Sequence, residues 1–260
     1  MQEQHDRNLD SNWRILRDTA ILSGAGSLLT FMKPLRAVVL GRMLGPHAYG
    51  LFNIPLPYVQ LLSIFANMGL SAAVLRAASV KIAEGREDAA RAVYRRGLAA
   101  AFLSSIVWSG ILSLLAPFLA GRLAGEPGAS GLIILGAWMI PGLTLSALLS
   151  NMFLVYERGA LLGLVRTIYT LLGLVLPVAF VIVFRQPYYV VLAFVIVEAA
   201  GAVIAFHQLH RNVITSKHPP AGSTEPVMGP LFRLAISFFF TNLGWMLINS
   251  VDRIMIQWYC

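Results

Sequence analysis

Seven long apolar runs, at roughly 19–44, 51–75, 97–120, 131–156, 161–184, 188–206 and 231–258, alternate with polar breaks along the chain. Crossing hydrocarbon takes roughly 20 apolar residues per helix. The runs are continuously apolar rather than alternating, which points to helices and not to barrel strands. The pattern predicts an all-α, polytopic membrane helix bundle of about seven spans. The connections after spans one, three, four and five are short, so those helices should lie antiparallel. The connection from Arg76 to Arg96 is longer and polar, and its Glu87 and Arg91 stand four apart in the order that favours a helix. The segment from His210 to Pro230 is rich in Pro, Gly and Ser and reads as a linker. Four regions follow: a cytoplasmic or interfacial segment over 1–18, a six-helix unit over 19–206, a cytoplasmic linker over 207–230, and one further helix over 231–260.

Composition agrees with that pattern. Of the 260 residues, 57% are hydrophobic and only 12% charged, about half the charged share of a soluble domain. The first residues are polar and the first apolar run is too long for a signal peptide, so that run is expected to stay as a helix. The single cysteine, Cys260, excludes an internal disulfide and a cysteine-based zinc site.

The net charge of +8 changes meaning once it is placed on the topology. The N-terminal tail, the Arg76–Arg96 connection and the linker after span six hold most of the loop Lys and Arg. The opposite side holds Arg42, Arg122 and Arg185. That asymmetry puts the N-terminus in the cytoplasm and argues against a seven-helix receptor. It also explains the basic balance without nucleic acid, which is not an expected partner; the lipid bilayer is. The chain stops directly at the end of span seven, which suggests a fragment.

Six charged groups fall within the spans: Lys33, Arg36, Glu198, Arg166, Asp252 and Arg253. A charge at the bilayer centre costs on the order of 3 kcal/mol, so these groups should face a bundle interior or hydrated cavity. Lys33 and Arg36 are three apart on one helical face, with the helix-kinking Pro34 between them. Asn53, Gln60 and Asn67 recur every seven residues. Gly163, Arg166, Thr170, Gly173 and Pro177 recur at threes and fours, as do Asn242, Trp245, Asn249 and Asp252. Such stripes would wall a hydrated cavity, and Lys33, Arg36 and Arg166 are its favoured functional cations because bases outnumber acids. For Asn53, Asn67, Thr170 and Asn249, helix-to-helix packing is an equally good account. Glu198 is expected to pair internally with a base, with a coupling-ion role as the other reading. His207 and His210 read as interfacial rather than metal-binding.

The stretch VLGRMLGPHAYGLF (Val39–Phe52) holds three glycines and a proline. A phosphate loop would need a preceding strand and a cytoplasmic helix N-terminus. This stretch lies between two membrane helices on the outer side, so Gly45-Pro46 is a bend and Gly50 eases entry to the next helix. No Walker A, nucleophile elbow, HExxH or paired-carboxylate constellation stands out. No cofactor, no metal and no enzymatic activity are expected.

Those residues carry a resemblance. GRMLGPHAYGLFNI resembles the R-x-LGP-x-x-YG hairpin near the start of polysaccharide and O-antigen export proteins. These belong to the multidrug/oligosaccharidyl-lipid/polysaccharide (MOP) exporter superfamily. NMGLSAAVLR (Asn67–Arg76) looks like the family's second-helix end, and Phe232–Ile256 is similar to its seventh helix, with Asp252 and Arg253 as the Asp-Arg pair. The resemblance implies the first six-helix lobe of a two-lobe flippase plus the opening helix of the second. It implies a central cavity, alternating access, and a bacterial inner-membrane location. The implied substrate is a lipid-linked, polyprenyl diphosphate oligosaccharide for polysaccharide or O-antigen synthesis. A chain supplying the second lobe and polysaccharide assembly proteins are the implied partners. An ion-coupled multidrug exporter of the same superfamily and a non-transporting remnant or scaffold are the alternatives.

Overall fold

The computed structural model describes residues 2–123, 125–211, 229 and 231–244, and these are helical apart from short turns. In order they form α1 (Gln2–Leu44), α2 (Pro46–Asn53), α3 (Pro55–Asn67), α4 (Leu70–Ala83) and α5 (Glu87–Phe118). A π-helical turn (Leu119–Leu123) and a 3₁₀ turn (Pro127–Ala129) lead to α6 (Ser130–Ala137), α7 (Met139–Val155), α8 (Gly159–Phe184) and α9 (Pro187–Leu209). Helix α10 covers Leu231–Gly244. Among the described residues, five helical stretches are long and apolar enough to cross a membrane: Pro46–Ala83, Glu87–Arg122, Pro127–Val155, Gly159–Phe184 and Pro187–Leu209. They match spans two to six. The chain is a multi-pass membrane helix bundle.

The first and seventh spans differ from that set. Helix α1 carries Lys33, Pro34 and Arg36 within its membrane-depth stretch, which lowers its apolarity, and it runs unbroken through the expected boundary at residue 18. The described part of span seven is α10; Trp245, Asn249, Asp252 and Arg253 lie outside the described residues.

Span two is not one straight helix. Gly45 adopts φ 78° and ψ 169°, and Pro46 starts α2, where its missing N–H costs nothing. Gly50 sits inside α2 rather than at the entry to a helix. Ile54 keeps helical angles (φ −56°, ψ −48°) at the α2–α3 junction, so the helical phase carries across it. Met68 and Gly69 are both left-handed (φ 43° and 72°), and there α3 truly ends. The polar connection expected over 76–96 is mostly helix. Helix α4 runs on to Ala83 and α5 begins at Glu87, leaving a turn of three residues. Glu87 and Arg91 do pair, Nη2 to Oε2 at 3.3 Å.

Two apolar clusters fill the bundle towards its opposite ends. One gathers Leu70, Val74, Val93, Phe153, Leu209 and Leu231. The other gathers Leu40, Phe52, Leu112, Ile133, Val190 and Phe194. Helix α1 packs along α8, α8 along α9, and α9 along α7. Small residues set those approaches. A Cβ on Gly163 of α8 would lie 2.7 Å from the Ile21 side chain of α1, and one on Gly142 of α7 would lie 2.7 Å from the Glu198 carbonyl carbon of α9.

Candidate substrate cavity

Beside the second of the two apolar clusters, whose Leu40, Phe52 and Phe194 form part of its wall, α1, α2, α3, α7, α8 and α9 surround a cavity of about 350 Å³. Helix α1 supplies Lys33 and Arg36, the α2–α3 stretch supplies Asn53 and Gln60, α8 supplies Thr170 and Gly173, and α9 supplies Phe194 and Glu198. Six residues expected from sequence to face a cavity therefore meet in one: Lys33, Arg36, Asn53, Gln60, Thr170 and Glu198. It lies within a single bundle, whereas the resemblance implies a cavity between two lobes.

Each polar wall is held differently. The Arg36 guanidinium lies over the Phe194 ring, 4.5 Å from its centroid, and its Nη1 donates to the Gly173 carbonyl at 3.3 Å. It also interacts electrostatically with Tyr169 and Glu198. Glu198 is 4% exposed. Its direct partner is the Tyr169 hydroxyl, which donates to Oε1, while Oε2 has no hydrogen-bond partner. Glu198 was expected to pair internally with a base; its hydrogen-bond partner is the Tyr169 phenol, whose ring packs against Gly201 one turn along α9, while Arg36 interacts with it electrostatically without an ion pair. Asn53 Nδ2 donates to the Tyr49 carbonyl at 2.7 Å, and the Thr170 hydroxyl donates back to the Arg166 carbonyl at 2.8 Å. Lys33 makes no ion pair or hydrogen bond among the described residues.

Two expected residues lie elsewhere. Asn67 is absorbed by the α3–α4 break. Its Oδ1 accepts from the Ser71 amide at 3.1 Å and from the Ser71 hydroxyl at 2.6 Å, tying one helix end to the next. Asn67 is the last residue of α3, in phase with Gln60, but its side chain is engaged by Ser71 across the left-handed Met68–Gly69 break and lines no cavity with Gln60. Arg166 shares a face with Thr170 and Gly173 but is outside the lining. It stands one turn beyond Gly163, where α8 meets α1. The placement of Asn249, Asp252 and Arg253 falls outside the described residues. The sequence stripes missed Tyr169 and Phe194. Phe194 was findable, since it precedes Glu198 by four on one helical face; Tyr169 sits beside the α8 stripe and gave no separate signal.

The family model described as polysaccharide biosynthesis protein matches residues 15–260. The chain belongs to this family. No curated protein matches it. Two solved structures are similar to it. One is a MOP superfamily transporter from Pyrococcus furiosus, described as having a binding pocket of reverse polarity that suggests a different function (TM-score 0.72, 15% identity, 92% of this chain, 55% of that one). The other is a multidrug resistance MATE family transporter of the MOP superfamily, in an outward-facing conformation (TM-score 0.67, 16% identity, 92% and 55%). The chain thus spans about half the length of each. At such identity the likeness carries the fold, and it agrees with a membrane helix bundle of MOP type.

Proposed function

We propose that this family member forms part of an exporter that moves lipid-linked oligosaccharide across the bacterial inner membrane by alternating access. The substrate class is a polyprenyl diphosphate sugar used for polysaccharide or O-antigen synthesis. The observation that carries this reading is the cavity's charge. Lys33 and Arg36 face it against the single carboxylate of Glu198. Keeping a cation at membrane depth costs on the order of 3 kcal/mol unless partners or water offset it; Arg36 has partners on α8 and α9, whereas Lys33 has no ion pair or hydrogen bond among the described residues. A cationic, partly polar cavity favours a diphosphate head, and the polyprenyl tail can remain in lipid. The family's description, polysaccharide biosynthesis protein, supports the same substrate class.

A second reading, an ion-coupled multidrug exporter, is favoured by one feature. Glu198 keeps an unpartnered oxygen among the cavity-lining residues, which would suit a cationic drug or ion. Cells lacking the protein separate the two. The first reading predicts lipid-linked oligosaccharide accumulating on the cytoplasmic leaflet, with drug sensitivity unchanged. Normal glycan export together with lost, Glu198-dependent drug resistance would overturn it in favour of the second.

A further inference from the structure

Two prolines leave backbone carbonyls without their regular donors, and in both places a side chain from another helix fills the gap. Proline has no N–H, so the carbonyl four residues earlier loses its helical partner. Pro141 does this to Ala137, and the buried Ser109 hydroxyl of α5 donates to the Ala137 carbonyl at 2.8 Å. Pro177 does it to Gly173 in α8, and there the donor is Arg36 Nη1 at 3.3 Å. A Cβ at residue 173 would stand 3.5 Å from Nη1, in ordinary contact, so the approach depends on the freed carbonyl rather than on glycine. The ring of Phe194 holds the guanidinium from the α9 side. Arg36 is thus engaged on two helices. Lys33, one helical turn earlier on the same face of α1, has no such engagement among the described residues.

We propose that Arg36 is a positioning residue that ties α1 to α8 and α9 by closing the gap Pro177 opens, and that Lys33 is the cation presented to an anionic ligand. The role of Lys33 rests on the exporter reading; the role of Arg36 does not. Arg36 is needed because residue 177 is a proline. Pro177→Ala returns an amide to the helix, gives the Gly173 carbonyl its own donor, and removes that need.

The test is a double-mutant cycle in the purified full-length protein in detergent, read first by thermal unfolding. With Pro177 present, Arg36→Gln should lower Tm by about 3 °C, and in the Pro177→Ala background by less than about 1 °C. Pro177→Leu restores the same amide and serves where the alanine variant is not recovered. Equal falls in both backgrounds would overturn the latch. Transport of a polyprenyl diphosphate oligosaccharide into proteoliposomes is the second readout. Lys33→Gln should lose roughly tenfold in either background, as expected for one lost charged contact, with Tm unchanged. Arg36→Gln should lose transport with Pro177 and regain it with Pro177→Ala. Transport that stays lost while Tm recovers would make Arg36 a ligand contact instead. If the unaltered protein, reconstituted with the remainder of the exporter, moves no oligosaccharide, the exporter reading fails while the Tm cycle still decides the role of Arg36.

Discussion

The contact between α7 and α9 gives the sharpest stability prediction. Gly142 and Glu198 face each other so closely that a Cβ on residue 142 would lie 2.6 Å from the Glu198 Cβ, 2.7 Å from its carbonyl carbon and 2.8 Å from its carbonyl oxygen. Non-bonded carbons rest about 3.5–4.0 Å apart. Gly142→Ala therefore forces the helices apart by about 1 Å, and two of the three clashing atoms are backbone that no rotamer can move. Two effects oppose each other. Alanine favours a helix over glycine by about 1 kcal/mol, whereas overpacking a close-packed interface costs about 1–3 kcal/mol. The difference is a net loss of about 0–2 kcal/mol, towards the upper end because the backbone cannot yield, or up to roughly 8 °C in Tm. Because α9 carries Phe194 and Glu198 into the cavity, its displacement should also reduce transport. Gly110→Ala is the control, since a Cβ on that exposed glycine of α5 would meet nothing within 4 Å. It should be neutral or stabilising by up to about 1 kcal/mol. Thermal unfolding of both variants in detergent, followed by transport in proteoliposomes, decides the matter. Gly142→Ala matching Gly110→Ala in Tm and transport would refute the close-contact reasoning.

Three further outcomes follow from single contacts. Ser109→Ala leaves the Ala137 carbonyl without a donor in a buried setting, so unfolding experiments should show a loss of about 1–3 kcal/mol, and Pro141→Ala should reduce that loss. Tyr169→Phe removes the hydrogen bond to Glu198 and leaves that carboxyl without a direct partner. It should cost about 1–3 kcal/mol, and the double variant with Glu198→Gln should be less than additive. Gly69→Ala places a Cβ 2.3 Å from the Ala235 carbonyl oxygen and 2.7 Å from the Phe239 nitrogen of α10, at a left-handed φ of 72°. It should loosen α10 from the α3–α4 break, seen as faster proteolysis between α9 and α10; an unchanged cleavage pattern would count against that contact.

The membrane spans were legible because apolarity sustained over a bilayer's thickness suits a helix in lipid and little else. The cavity was legible where helical phase was conserved. Lys33 and Arg36 share an unbroken helix, and Asn53 and Gln60 stay on one face because Ile54 keeps helical angles across the α2–α3 junction. For Asn67 the sequence left packing and cavity readings equal, and the structure shows the packing one: at the end of α3 its side chain is taken up by Ser71 of α4. Arg166 stands outside this lining because a stripe fixes direction around a helix but not where a neighbouring helix closes the space, here at Gly163 and Ile21. The partner of Glu198 was beyond reach for a related reason: Tyr169 is 29 residues away on another helix, and only the Gly201 approach seats its ring there. Pro177 was visible as the end of the α8 stripe. That it frees a carbonyl for Arg36 depends on α1 lying against α8, which no local pattern states.

The central claim is that a cationic cavity within this bundle receives the diphosphate head of a lipid-linked sugar. The measurement that meets it most directly is binding of a polyprenyl diphosphate oligosaccharide to the purified full-length protein, native and Lys33→Gln, across a range of salt. The account predicts roughly tenfold weaker binding for Lys33→Gln and affinity that falls as salt screens the charges. Equal affinity for the two proteins, with no dependence on salt, would contradict it.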